Sequence, residues 1–143
     1  MTRLPLLILL PLLCGLAPAD APAPTSRFAA VDILIDPHGH PLAAYQFEFT
    51  AEPGTISLVG VEAGEDPAYA ARPPYYDPAA LAGRRIIVAD YSLAPTLPTT
   101  KTRIARLMLE LRGDAKPQYI TKLIAAADPD GKSIAVTLSI AEK

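Results

Sequence analysis

From Tyr45 to Thr50 apolar and polar residues alternate without a break, in the run Tyr45-Gln46-Phe47-Glu48-Phe49-Thr50. Successive side chains of a strand point to opposite faces, so Tyr45, Phe47 and Phe49 share one face while Gln46, Glu48 and Thr50 share the other. A helix cannot sort these six residues that way. The segment is therefore a half-buried strand with its aromatics turned into a core, and the chain around it must supply sheet partners and a second layer to cover that aromatic face.

Before those partners can be counted, the start of the chain has to be set apart. Arg3 precedes an apolar run from Leu4 to Leu16, followed by Ala17-Pro18-Ala19. A basic start, a short apolar middle and an A-x-A site make a secretory signal peptide, residues 1–19, with cleavage expected after Ala19. The run is shorter than the about 20 residues that span a bilayer, and Pro5 and Pro11 interrupt it, so no transmembrane segment is expected. Cys14 raises the alternative of a lipidated cysteine, but Leu13 stands before it where such sites take a small residue. Export places the mature chain in the periplasm, outside the cell or on its surface.

Without the leader peptide the sole cysteine of the sequence is gone. The remaining domain has no disulfide and depends on core burial, which a chain of this length can provide. Of the 13 Lys and Arg only Arg3 lies in the signal, so 12 face 15 Asp and Glu, a net charge near −3. That balance offers no footprint for nucleic acid or an anionic membrane surface.

Residues 20–26, with Pro22 and Pro24 among alanines, read as an extended leader. The domain occupies 27–143. Strand candidates fall at 28–35, 43–50, 55–61, 85–93, 103–112, 118–126 and 133–141, rich in β-branched and aromatic residues and divided by turn signals, which argues all-β. Asp36-Pro37-His38-Gly39 places Pro and Gly where a tight reversal needs them and predicts a hairpin between the first two strands. Asp128-Pro129-Asp130-Gly131 predicts a second hairpin before the last strand. In 102–112, Ile104, Leu107, Met108 and Leu111 fit a helical stripe while Leu107, Leu109 and Leu111 fit a strand, and periodicity leaves both open. The stretch 63–84 is long for a connection. It carries two Asp-Pro helix starts, Asp66-Pro67 and Asp77-Pro78 ending at Gly83, each expected to open a single helical turn.

Catalytic equipment is thin. There is no G-x-S-x-G elbow, H-E-x-x-H, P-loop or dinucleotide fingerprint. His38 and His40, with Asp36, could clamp a surface metal, but a solvated turn is the simpler account. Glu62, Glu65 and Asp66 cluster after the third strand, with Asp77 and Asp90 able to fold nearby, and paired carboxylates could serve glycoside hydrolysis. Acids on loops usually cap turns or face water. Asp128-x-Asp130-Gly131 matches part of a calcium loop but lacks its other oxygen ligands and its closing glutamate. No enzyme activity, cofactor or metal is expected.

A binding role has better material. Exposed aromatics stack on apolar sugar faces or anchor protein interfaces. The chain has no Trp, which leaves Tyr69, Tyr75, Tyr76 and Tyr91; the polar face of the opening strand adds Gln46 and Glu48. The competing account of Tyr75 and Tyr76 is that they pack the long loop onto the body of the protein.

Taken in order, Val31-Asp32-Ile33-Leu34-Ile35, Leu42 to Phe49, Leu58-Val59-Gly60-Val61-Glu62-Ala63-Gly64-Glu65, Ile86 to Ser92, Thr102 to Leu111 and Ala125 to Gly131 resemble a cohesin-type domain of the bacterial carbohydrate-binding-domain superfamily. The resemblance implies a jelly-roll β-sandwich of two antiparallel sheets and tips 103–112 to strand. It also implies binding without catalysis: cohesins recognise dockerin modules and their structural relatives bind polysaccharide. The expected partner is thus an extracellular or cell-envelope protein, dockerin-like or other, and the alternative is a polysaccharide held by the loop tyrosines.

Overall fold

A computed structural model describes residues 19–114 and 116–143. The expected signal peptide, residues 1–19, and Cys14 within it fall outside the described residues, apart from Ala19. The alternating segment forms β2 (Ala44–Glu52), and Tyr45, Phe47 and Phe49 are all buried. Around it lie β1 (Ser26–Asp36), β3 (Ile56–Glu62), β4 (Tyr75–Tyr76), β5 (Arg85–Tyr91), β6 (Thr102–Arg112), β7 (Gln118–Ala127) and β8 (Thr137–Glu142).

These strands make two four-stranded antiparallel sheets, β3-β6-β1-β8 and β4-β5-β2-β7. The first strand pairs with the last, the second with the seventh, the third with the sixth and the fourth with the fifth. That nested pairing, dealt between two sheets, is a jelly roll, so the sandwich expected from the sequence is the fold observed. Between the sheets lie Val31, Ile33 and Ile35 from β1, Leu107, Leu109 and Leu111 from β6, and Phe47 and Phe49 from β2. Residues 102–112 are therefore strand. A helix there would take Leu109 away from a core in which it is fully buried.

The hairpin predicted between the first two strands does not form: β1 pairs with β6 and β8, and β2 with β5 and β7. The turn itself exists, with the His38 amide donating to Asp36 Oδ1 at 2.9 Å and Gly39 at φ +89°. It serves as a crossing between sheets, because Gly39 N and Leu42 N donate to the carbonyls of Thr99 and Pro98 instead of bonding back across β1. The second predicted hairpin is confined to its root. Asp128 N bonds Lys132 O at 2.9 Å and Ala127 bridges Ser133, after which the chain crosses over and β8 begins at Thr137 instead of Ser133.

Within 63–84, Asp77 caps a short 3-10 helix, Pro78–Ala80, through the Ala79 amide. Asp66 caps only a turn, where Ala68 N donates to its side chain and Tyr69 N to its carbonyl. The expected first helical turn is thus a simple reversal. Gly64 lets this turn lie directly on β6: a Cβ there would stand 2.8 Å from the Arg103 carbonyl oxygen.

Candidate binding face

The outward residues of β2 and its neighbours fall into cross-strand rows. Tyr75 lies opposite Ala89, Ala89 opposite Gln46, and Gln46 opposite Ala125. One step toward the end of the sheet, Tyr91, Ala44 and Ala127 form the next row; one step the other way come Ile87, Glu48 and Lys122. A bulge in β7 leaves Ile124 without a partner on β2 and 45 % exposed. Bulges re-aim side chains in this way.

Tyr75, on the edge strand, and Tyr91, at the end of β5, meet at one corner of this surface. Both are more than half exposed, their ring centres lie 6.3 Å apart, and the rings are within 9° of parallel. The Arg72 guanidinium carbon sits 4.1 Å from the centre of the Tyr75 ring, a cation–π geometry. Arg72 also donates to Asp90 Oδ1 at 2.8 Å, and the same oxygen accepts the Tyr91 amide at 2.8 Å. Asp90 is buried, so its charge is held on one side by the guanidinium and on the other by the backbone that carries Tyr91. The loop and β5 are thereby tied together where the two rings meet.

Alanines make the floor beside the rings. Ala44, Ala89, Ala125 and Ala127 line a depression of about 280 Å³ with Gln46 among them, and a second one of about 640 Å³, which shares Ala44, Tyr91 and Ala127 with it, is walled by Pro41, Leu93 and Pro129. Small residues between large ones give a groove where a uniformly large set would give a flat face.

Of the six residues singled out in the sequence, Tyr75, Tyr91 and Gln46 come together here. Glu48 lies one row away and is ion-paired with Arg85. Tyr69 does not belong to the site: it is buried, its hydroxyl donates to Leu42 O at 2.8 Å, and its ring meets Tyr45 edge-on at 5.3 Å. Tyr76 is likewise turned toward the core, since it alternates with Tyr75 on β4. Burial raises the hydroxyl pKa of both Tyr45 and Tyr69, with the nearby Asp90 charge adding to it. Arg72, Leu93 and the alanine floor were missed. The outward alanines were legible as every second residue of β7 at 125 and 127, but small residues carried no chemistry to draw notice.

The acids weighed for catalysis are each occupied. Glu65 accepts the Arg103 amide at 2.9 Å, Glu62 lies 3.9 Å from Arg106, Asp66 and Asp77 cap turns, and Asp90 holds Arg72. His38 Nε2 lies 2.8 Å from the Thr137 hydroxyl. Among the described residues no three His, Cys, Asp or Glu side chains gather as a metal site would require, and no helix is long and apolar enough to cross a membrane.

Compared with protein-family models, with curated proteins and with solved structures, the chain matches none.

Proposed function

We propose that this is an exported, non-enzymatic binding domain whose partner is an extracellular or cell-envelope protein lying on the outer face of β4-β5-β2-β7. The observation that carries this reading is the concentration of exposed apolar side chains there. Tyr75, Ile87, Tyr91, Ile120 and Ile124 all stand on that face, and Leu93 at its end is 91 % exposed. Aromatic anchors toward one corner of the sheet, with isoleucines across it and charges such as Glu48, Arg85 and Lys122 interspersed, have the composition of a protein interface. The cohesin-like resemblance agrees with a binding role for a jelly roll of this kind. Immobilised protein should retain a saturable partner from envelope or secreted fractions of the producing cell, and Ile87→Lys should release it. Retention of nothing saturable would end this reading.

The near-parallel pair Tyr75 and Tyr91 favours a second reading, a carbohydrate-binding module for polysaccharide. Affinity electrophoresis in soluble glycans should then show retardation that Tyr75→Ala and Tyr91→Ala abolish. Unchanged mobility in every glycan would exclude it.

A further inference from the structure

The groove beside Tyr75 and Tyr91 is selective in its chemistry. Its walls are mostly apolar: Asp90 is held by Arg72 and the Tyr91 amide, Ser92 Oγ accepts Ala94 N, and Asp128 accepts the amides of Asp130 and Lys132, which leaves Gln46, the two phenols and the Ser92 hydroxyl proton, with the Arg72 guanidinium at the rim. A pyranose carries a hydroxyl on most ring carbons, and each one taken out of water needs a partner. This groove would leave most of them without. A polyproline II segment has the opposite demand: its rings are apolar, its backbone makes no internal hydrogen bonds, and it docks on aromatic-lined grooves through a few donors to its carbonyls.

The chain carries such a segment. Residues 19–25 contain Ala21-Pro22-Ala23-Pro24 and are exposed throughout, with no regular structure. They cannot turn back to the groove of their own domain. They join β1 at Ser26, opposite Arg112, whereas the groove lies at the other end of the sandwich, where β1 finishes at Asp36 and β2 starts at Ala44. Eleven residues of β1 span about 36 Å at the usual strand rise. The seven residues before it reach only about 22 Å as polyproline II. Charge agrees with a meeting of two copies, since the half-exposed Arg72 guanidinium beside Tyr75 can receive Asp20.

We propose that the groove binds the leader of a second copy of this chain, Asp20 to Thr25, in polyproline II form. Pro22 and Pro24 pack on Tyr75 and Tyr91, the Gln46 amide donates to a leader carbonyl, and Asp20 meets Arg72. Leader and groove lie at opposite ends of the domain, so the contact is head-to-tail. The inference rests on the reading of this face as protein-binding and names one partner for it.

The test is a titration of the isotope-labelled exported chain with a synthetic peptide of residues 19–27, followed by amide chemical shifts. Saturable shifts are expected at Tyr75, Tyr91, Ala125 and Ala127, with a dissociation constant of about 0.1–1 mM, weak as befits a short peptide. Tyr91→Ala, which removes an exposed ring and leaves the core intact, should weaken binding at least about tenfold, as should serine in place of both prolines of the peptide. No shift at those four amides up to about 5 mM peptide, or equal binding of the serine peptide, would overturn the inference. A soluble glucan that shifts the same amides where the peptide does not would overturn it in favour of the glycan reading. Ile87-dependent capture of a different envelope protein, without peptide binding, would overturn it while leaving the protein-binding reading in place.

Discussion

The two sheets are alike on the inside and unlike on the outside. Facing each other, β1 and β6 contribute Val31, Ile33, Leu107 and Leu109, while β2 and β5 contribute Phe47, Phe49, Ile86 and Val88, all buried. On the outer face of β3-β6-β1-β8, Asp32 takes a two-pronged bond from Arg106 at 2.7 and 3.1 Å, with Arg103 at 3.8 Å and Lys143 at 3.7 Å. Glu110 and Arg112 pair further along the same face. The outer face of β4-β5-β2-β7 instead exposes tyrosines and isoleucines around an alanine floor. Outward residues of a strand are free of the core's demands, so their character reports what each face meets. One face is mostly paired charge, with Phe28 and Val59 exposed among it, and the other presents six large exposed apolar side chains, Tyr75, Ile87, Tyr91, Leu93, Ile120 and Ile124, that no described residue covers.

The largest expected effects are those that treat the sheets alike. Phe47→Ala and Leu107→Ala, one from each inner face, should each lower unfolding free energy by about 2–5 kcal/mol in urea titrations. A loss under 1 kcal/mol at either would mean that its sheet is not part of the shared core.

Next in size is the charged face. Asp32→Asn leaves three cations around a neutral amide and should cost about 1.5–3 kcal/mol at neutral pH. The Arg106 hydrogen bond, aided by the Arg106, Arg103 and Lys143 charges, holds the Asp32 carboxyl below its usual range despite the opposing cost of burial. A depressed folded pKa means that the contribution is present above the unfolded value, about 3.9, and is lost as pH falls through the folded one. Urea midpoints of the parent and the variant should therefore converge in acid. Parallel curves down to the lowest pH would contradict this assignment.

A smaller effect separates the tyrosines. Tyr69→Phe deletes a buried donor to Leu42 O and should cost about 0.5–1.5 kcal/mol, whereas Tyr75→Phe, at an exposed ring, should stay within about 0.5 kcal/mol. Equal losses would dissolve the distinction between the core tyrosine and the surface one. Equally small in stability is Ile87→Lys, expected within about 0.5 kcal/mol by thermal or urea unfolding, although it should disable the face.

How much of this was legible depends on what alternation can encode. It sorted Tyr45, Phe47 and Phe49 from Gln46 and Glu48, and it supported the sandwich, because face assignment is a local property of a strand. It carries no information about which strand lies beside which. The turn at Asp36-Pro37-His38-Gly39 therefore read as a hairpin although it links two sheets. In 63–84 no period was present to read, so the two-residue β4 was missed, and with it the separation of outward Tyr75 from inward Tyr76. Tyr69 looked like a loop aromatic because its burial depends on the turn that Gly64 lays against β6. The bond from Arg72 to Asp90, which fixes the rings, joins residues 18 apart through the fold alone.

The most direct test of the account is partner retention from envelope and secreted fractions by matched substitutions on the two outer faces. Ile87→Lys on β5 should lower saturable retention at least about tenfold, the equivalent of losing one anchor residue. Val59→Lys on β3, at a position of similar exposure, should leave it unchanged. Retention that falls with Val59→Lys and survives Ile87→Lys would contradict the assignment of the binding face.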